Sequence, residues 1–153
     1  TVIFVPILAR PSSRGSVSPV GATLKDGLRI DPGYLTNPLD IKTYIKAVDI
    51  VRDLALTNPL KPYCQKELCP GSLDVEAYLR GHAQTIWHPV GSCAMGATPE
   101  ESVVDPAFNV FGVDNLSVVD ASVLPSLPSG NPQASIFAMA WIAADIIKSK
   151  INE

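Results

Sequence analysis

The sequence predicts a mixed α/β fold in which sheet-forming segments come first and a strand followed by a long helix comes last. Residues 2–9 form a β-branched apolar run that the Pro- and Gly-containing stretch 10–17 interrupts, a pattern typical of strands on both sides of a turn. Residues 38–56 repeat apolar side chains at helical spacing, and segment 116–119 indicates a short buried strand. We therefore expect an antiparallel sheet with its helices, followed by a closing strand and helix.

The composition is that of a globular chain and excludes several classes of function. With 153 residues, 46% hydrophobic and 18% charged, the chain has a core to bury and is too apolar for a disordered tail. The net charge is −3 and no Lys/Arg cluster interleaves with aromatic residues, so nucleic acid is not an expected partner. The longest apolar run, 134–144, is too short for a membrane span, and we expect a soluble protein.

The segment after Asn37 carries the clearest helix signal. Asn37 is a good N-cap, and Pro38 suits the first turn because it lacks an N–H that would be unbonded there. Apolar residues then recur on one face of a helix over about 38–56, namely Ile41, Tyr44, Ile45, Val48, Val51 and Leu54.

Two further helices are predicted, with an irregular, turn-rich stretch over 82–95 between them. Ser72 is a suitable N-cap for a short helix that runs to about Arg80. The last helix begins at Asn131-Pro132. Its apolar side chains surround it almost completely, which predicts burial: Ile136, Phe137, Met139, Trp141, Ile142 and Ile146.

The cysteines do not indicate a metal site. Cys64, Cys69 and Cys93 are odd in number and lack a second Cys pair or a histidine at zinc spacing. We interpret them as ordinary small residues, and a Cys64–Cys69 disulfide stays open if the protein is secreted. The cellular compartment is not determined by the sequence.

Three stretches combine polar residues with turn formers in a way that favours a functional site. His88 lies in Trp87-His88-Pro89-Val90-Gly91-Ser92-Cys93, where proline and glycine fix the backbone. Residues 103–105 are Val-Val-Asp, and 112–122 contain the predicted strand that ends at Asp120. Residues 130–134 open the last helix, whose N-terminus favours negative charge.

Each of these residues also has a structural interpretation. A single loop histidine is often structural, Asn131 before proline is an ordinary helix N-cap, and Asp120 can cap a local turn. Trp87 is almost as well suited to an ordinary core. His82 matches no motif, and we interpret it as structural.

Together the three stretches resemble the C-terminal signature of the glucose-methanol-choline (GMC) oxidoreductases, especially aryl-alcohol oxidase-like and choline dehydrogenase-like members. That family carries a His-Pro-x-Gly-(Ser/Thr) turn, a Val-Val-Asp segment, a strand ending in Asp-(Ala/Gly)-Ser, and a helix start with a second catalytic His or Asn. The matching residues are 88–92, 103–105, 112–122 and 131–133. Asn131 departs from the members that carry histidine at this position, and it resembles the choline-oxidising and cellobiose-dehydrogenase-like members.

The resemblance implies FAD-dependent oxidation of a small-molecule alcohol to an aldehyde or ketone. Removing the hydroxyl proton makes hydride expulsion easier, and the resemblance implies that His88 is the base. Asn131 is implied to hydrogen-bond the alcohol oxygen and orient it. The implied contacts with FAD come from both ends of the signature: Trp87, Asp120, Ala121, Asn131, Pro132 and Gln133.

The resemblance also implies that the chain is part of a longer protein. Family members bind the FAD diphosphate with an N-terminal G-x-G-x-x-G turn, which these 153 residues lack. Residues 1–92 are expected to be part of the substrate-binding domain, ending in the His88 loop. Residues 93–153 are expected to add the closing strand and helix of a Rossmann-like FAD-binding domain. The start at Thr1, without Met or leader, is interpreted as a cut.

Two alternatives remain beside alcohol oxidation. The first is a GMC homologue that keeps FAD but performs non-redox chemistry, as lyase-like or cyclase-like members do. The second is a truncated module without catalysis. The kind of alcohol and the electron acceptor are not determined by this part of the sequence.

Overall fold

The computed structural model describes residues 1–151, which combine three α-helices with one small antiparallel sheet. The elements are β1 (Ser16–Pro19), β2 (Leu28–Asp31), α1 (Pro38–Ala55), α2 (Val75–His82) and α3 (Gln133–Ile151). Short 3₁₀ turns occupy Leu24–Asp26 and Ala121–Val123. None of the helices in the described range is long and apolar enough to cross a membrane.

Contacts divide the chain into two units, Thr1–Gln84 and Thr85–Glu153. The first unit holds the sheet, α1 and α2, and the second holds α3 and the loops that precede it. The division by contacts does not say which ligand each unit binds. The assignment of 1–92 to a substrate-binding domain and of 93–153 to an FAD-binding domain therefore stays a prediction.

The sheet is a two-stranded hairpin, which confirms an antiparallel sheet but not its predicted extent. β1 and β2 pair with Val17 opposite Ile30, and both of these side chains are exposed. The predicted strand over 2–9 is wrong, because these residues form no ladder with any segment among residues 1–151. A β-branched run favours extended backbone, but a strand needs a neighbour to bond its N–H and C=O groups.

Helix α1 confirms the predicted helix and its cap. The side chain of Asn37 accepts a hydrogen bond from the N–H of Leu39 at 2.9 Å, and Pro38 occupies the first turn. The helix ends at Ala55, one residue before the predicted end. The amphipathic pattern therefore located this element within one residue at its C-terminal end.

Helix α2 packs against α1 and completes the core of the first unit. Leu35, Ile41 and Leu79 are buried together, with Val75 and Tyr44 packed around them. The N-cap is Asp74, whose carboxylate accepts from the N–H of Ala77, so the predicted cap at Ser72 is wrong. Asp and Ser cap helices about equally well, and sequence alone does not choose between neighbours.

A buried carboxylate holds the segment before β1 to the start of α1. Asp40 is almost fully buried, and its two oxygens accept hydrogen bonds from the backbone N–H groups of Ser12 and Ser13, each at 2.8 Å. The hydroxyl of Ser13 accepts from the N–H of Asn37 at 3.0 Å. These bonds fix the loop against the helix N-terminus.

In the second unit, single β-bridges replace the predicted strand over 116–119. The bridges join Met95 to Val104, Val104 to Val110, and Asn109 to Ser117. A regular strand is absent from this part of the described chain, because turns interrupt every pairing after one residue. The Rossmann-like character of this region stays a prediction.

These bridged loops pack on α3. Val104, Phe108, Val123 and Ala143 form the buried core, with Met139 and Ile146 among the partly buried side chains against it. Predicted burial all round α3 is wrong for the described chain, because Phe137, Trp141 and Ile142 are 68%, 76% and 58% exposed. Only the face that carries Ala143 has a packing partner in this unit.

Candidate functional site

One concave pocket in the second unit contains most of the predicted site residues. Its volume is about 390 Å³. It is formed by the loop that contains His88, by the 3₁₀ turn after Asp120 and by the start of α3. Its lining residues are Trp87, His88, Pro89, Ala121, Asn131, Pro132, Gln133 and Ile136.

The His88 loop turns sharply on two residues with positive φ. Trp87 has φ 64° and Gly91 has φ 89°, on either side of His88 and Pro89. Glycine adopts this left-handed region freely, whereas a bulky side chain does so at a cost. The N–H of Trp87 donates to the side-chain oxygen of Thr85 at 2.9 Å. His88 itself is half-buried at the pocket wall.

Backbone hydrogen bonds join the end of this loop to the 3₁₀ turn. The N–H of Cys93 donates to the carbonyl of Ser122 at 3.0 Å, and the N–H of Met95 donates to that of Val123 at 2.9 Å. Val123 is buried in the core of the second unit, and this burial anchors the 3₁₀ turn. Ala121 therefore lies beside the His88 loop although 33 positions separate it from His88 in sequence.

The start of α3 supplies the third wall and unbonded backbone donors. The first intrahelical bond runs from the N–H of Ile136 to the carbonyl of Pro132 at 2.9 Å. The N–H groups of Gln133, Ala134 and Ser135 precede this bond and have no partner within the helix. The positive end of the helix dipole thus lies at the pocket.

Asn131 lies just before this helix and is exposed. Among residues 1–151, its side-chain amide makes no hydrogen bond, so the cap predicted by the structural interpretation is not formed by that side chain. Both the oxygen and the NH₂ group of the amide are free to meet a ligand. Its catalytic role stays a prediction.

Asp120 serves as a local cap. Its carboxylate accepts from the hydroxyl and from the backbone N–H of Ser122, and these hydrogen bonds lower the pKa of Asp120 against the opposing effect of burial. Asp120 does not line the pocket, whereas its neighbour Ala121 does. The capping role proposed as an alternative is present, and contact between Asp120 and FAD stays a prediction.

Sequence motifs identified most of the lining. Six of the eight lining residues were predicted, and Pro89 and Ile136 were not. Pro89 directly follows the histidine of the motif, and Ile136 lies one helical turn after Pro132, so adjacency and helical spacing would have indicated both. The lining contains no Asp, Glu, Lys or Arg.

The other histidine lies in the first unit. His82 stacks on Tyr78 with ring centroids 4.2 Å apart, and its Nδ1 is 2.9 Å from the carbonyl oxygen of Tyr78. Both contacts are local to α2, in agreement with a structural interpretation. The three cysteines are unpaired in the structure.

The family model described as GMC oxidoreductase matches residues 11–140. This match covers most of the chain and includes every residue that lines the pocket. The chain belongs to the GMC oxidoreductase family. The predicted resemblance is confirmed.

Curated relatives support the same family. An alcohol dehydrogenase [acceptor] of Pseudomonas putida is 40% identical over 147 residues, and the match covers 93% of this chain and 26% of the relative. The human mitochondrial choline dehydrogenase is 38% identical, with 92% and 25% covered. A chloroplastic fatty acid photodecarboxylase of Chlamydomonas reinhardtii is 37% identical, with 97% and 26% covered. The chain thus spans about a quarter of the length of these relatives.

Solved structures show the same fold. A fungal aryl-alcohol oxidase matches with a TM-score of 0.82 and 30% identity over 95% of this chain and 25% of that protein. An FAD-dependent oxidoreductase from Chaetomium thermophilum matches with a TM-score of 0.83 and 27% identity over 94% and 26%. The helices and small antiparallel sheet described above are therefore those of a GMC protein.

Proposed function

We propose that this chain is the catalytic part of an FAD-dependent enzyme that oxidises an alcohol to an aldehyde or ketone. The observation that carries the proposal is that His88 and Asn131 line one pocket at the positive end of α3. Membership of the GMC family supports the general class of reaction. The identity of the alcohol and the roles of the two side chains are part of the proposal.

The pocket fits the flavin end of FAD. Trp87 and Ile136 offer apolar surface to a flat ring, and the unbonded N–H groups at the start of α3 offer donors to its polar edge. The diphosphate end has no counterpart here, because the chain lacks a G-x-G-x-x-G turn. FAD, when bound, supplies the acceptor for the hydride that leaves the alcohol carbon.

His88 is the proposed base. The imidazole accepts the hydroxyl proton through a ring nitrogen, and the resulting alkoxide character makes expulsion of hydride from the adjacent carbon easier. A positioned base of this kind contributes about 10²- to 10⁴-fold to the rate. His88 is half-buried at the pocket wall, which leaves part of the ring accessible to substrate.

Asn131 is the proposed orienting group. Its NH₂ can donate to the alcohol oxygen from the α3 side of the pocket while His88 removes the proton. An amide does not titrate, so Asn131 adds direction without competing for the proton. The donors near Gln133 favour negative charge at this end of the pocket.

The test uses the full-length protein that carries this chain, purified with its flavin. Wild type, His88→Ala and His82→Ala are mixed anaerobically with a panel of alcohols, and bleaching of the flavin absorbance is followed. We expect His88→Ala to slow bleaching by about 10²- to 10⁴-fold. His82→Ala is the matched control, because its histidine contacts only α2 in the described residues.

Equal loss of bleaching in both histidine variants would contradict a specific role for His88.

The relative named as a photodecarboxylase supports a second candidate function, because it matches 97% of this chain and its name describes a reaction other than alcohol oxidation. Under this second candidate function, the protein retains FAD and catalyses a reaction other than alcohol oxidation. Full flavin occupancy without bleaching by any alcohol in the panel would favour it.

A further inference from the structure

We propose that Thr85 is a positioning residue, which holds the Trp87–His88 turn in the conformation that places His88 at the pocket wall. The consequence for the rate of reaction rests on the proposed alcohol oxidation. The hold on the turn does not, because it is argued from the Thr85–Trp87 hydrogen bond and the φ of Trp87. Neither the family motif nor the lining of the pocket includes Thr85.

The turn needs a stabilising interaction because Trp87 has an unfavourable backbone conformation. Its φ of 64° lies in the left-handed region, where a bulky side chain is a clear outlier. Such residues persist only where their surroundings impose the conformation, and they cluster at functional sites. Within this chain the indole of Trp87 is 83% exposed, so its burial does not impose the conformation.

The Thr85 hydroxyl provides that hold. Its oxygen accepts the N–H of Trp87 at 2.9 Å, which fixes the peptide unit immediately before the strained residue. Thr85 is half-buried, whereas the hydrogen bond itself lies at the exposed surface of this chain. Two residues of the same short turn, Trp87 and His88, then line the pocket.

Loss of the bond would release the turn. Without an acceptor for its N–H, Trp87 is expected to relax towards negative φ, and the direction in which the chain enters His88 changes with it. Catalytic groups tolerate little displacement, and an error of about 1 Å can cost about 10²-fold in rate. Thr85 would act on the reaction through His88, without touching substrate or flavin.

The experiment compares Thr85→Val, Thr85→Ser and a matched control, Thr98→Val, in the full-length flavin-bound protein. Valine has the shape of threonine but accepts no hydrogen bond, whereas serine keeps the hydroxyl. Thr98 also lies in the second unit, is exposed and does not line the pocket. Crystal structures give the φ of Trp87, and anaerobic flavin reduction gives the limiting rate and the half-saturating alcohol concentration.

We expect negative φ at Trp87 in Thr85→Val and positive φ in Thr85→Ser. We expect the limiting rate to fall roughly 10- to 100-fold in Thr85→Val, with the half-saturating concentration within about 3-fold of wild type. Thr85→Ser and Thr98→Val should stay near the wild-type rate. Should Thr85→Val fail to fold, Thr85→Ala removes the same acceptor with less bulk.

A Trp87 that keeps φ near its present value in the hydroxyl-free variant overturns the proposal. So does a relaxed turn with an unchanged limiting rate, or serine failing to restore what valine removes. If wild type itself is not reduced by any alcohol, the proposed function fails instead. The crystal structures then still decide whether Thr85 holds the turn.

Discussion

At the scale of single residues, Asp40 is a buried carboxylate outside the pocket. Burial pushes the pKa of Asp40 up, but hydrogen bonds from Ser13 and Ser12, together with the charge of Arg14, outweigh burial and lower it. A carboxylate that accepts two backbone N–H groups is stabilised in its ionised form. The ionised Asp40 carboxylate therefore helps to hold the loop before β1.

We predict that Asp40→Asn destabilises the protein by about 1–3 kcal/mol at neutral pH, because the amide offers one acceptor oxygen where the carboxylate offers two. Since the folded pKa lies below the unfolded value of about 3.9, the stabilisation is complete above that value and is lost as pH falls through the folded pKa. Thermal unfolding of both proteins from neutral to acidic pH measures this. Their difference should shrink in acid.

The matched control for Asp40 is Asp53→Asn, a change at an exposed position of the same helix. It should leave the midpoint of unfolding nearly unchanged at every pH, because its carboxylate accepts no hydrogen bond within residues 1–151. A gap between wild type and Asp40→Asn that stays constant down to strongly acidic pH would show that charge is not the cause.

Sequence motifs predicted the residues that line the pocket better than they predicted individual hydrogen bonds between side chains and the backbone. His88, Ala121 and Asn131 belong to recognisable stretches, and the structure places them in one pocket. Thr85 and Asp40 belong to none. The contact of Thr85 depends on the backbone angles of the turn at Trp87, and Asp40, in the first unit, contacts residues distant in sequence. No pattern of residue types encodes such contacts directly.

At the scale of elements, the sequence predicted a helix well where an N-cap residue was followed by apolar residues at helical spacing. Helix α1 has both signals and was located closely, whereas α2 is short and its cap was placed two residues early. Strands over 2–9 and 116–119 were not found, because a strand depends on a partner that local sequence does not reveal. Local propensity specified helices here, and pairing decided the strands.

The cap of α1 gives a prediction at this scale. Asn37→Ala removes the acceptor for the N–H of Leu39 and should destabilise the protein by about 1 kcal/mol. Asn58→Ala is the matched control, because Asn58 also precedes a proline but lies in a turn after α1 and not at a helix start. Urea denaturation of both variants measures the difference. Equal destabilisation would show that the cap contributes nothing specific.

At the scale of the whole molecule, the proposed cofactor site is only partly contained in this chain. The pocket is the proposed contact for the flavin ring, and the sequence has no glycine-rich turn for a diphosphate. We predict that the 153-residue chain alone does not retain FAD. Gel filtration after incubation with excess FAD, followed by absorbance of the protein peak, measures this, and a stoichiometric yellow complex would contradict it.

The position of the boundary between the contact units has a consequence for recombination. Every residue that lines the pocket follows Gln84, so the candidate reactive groups lie in one continuous stretch of the amino-acid sequence. A crossover at that boundary between two related coding sequences transfers His88, Asn131 and Thr85 together. Homologous exchange can thus vary the hairpin and first two helices while inheriting the reactive turn intact.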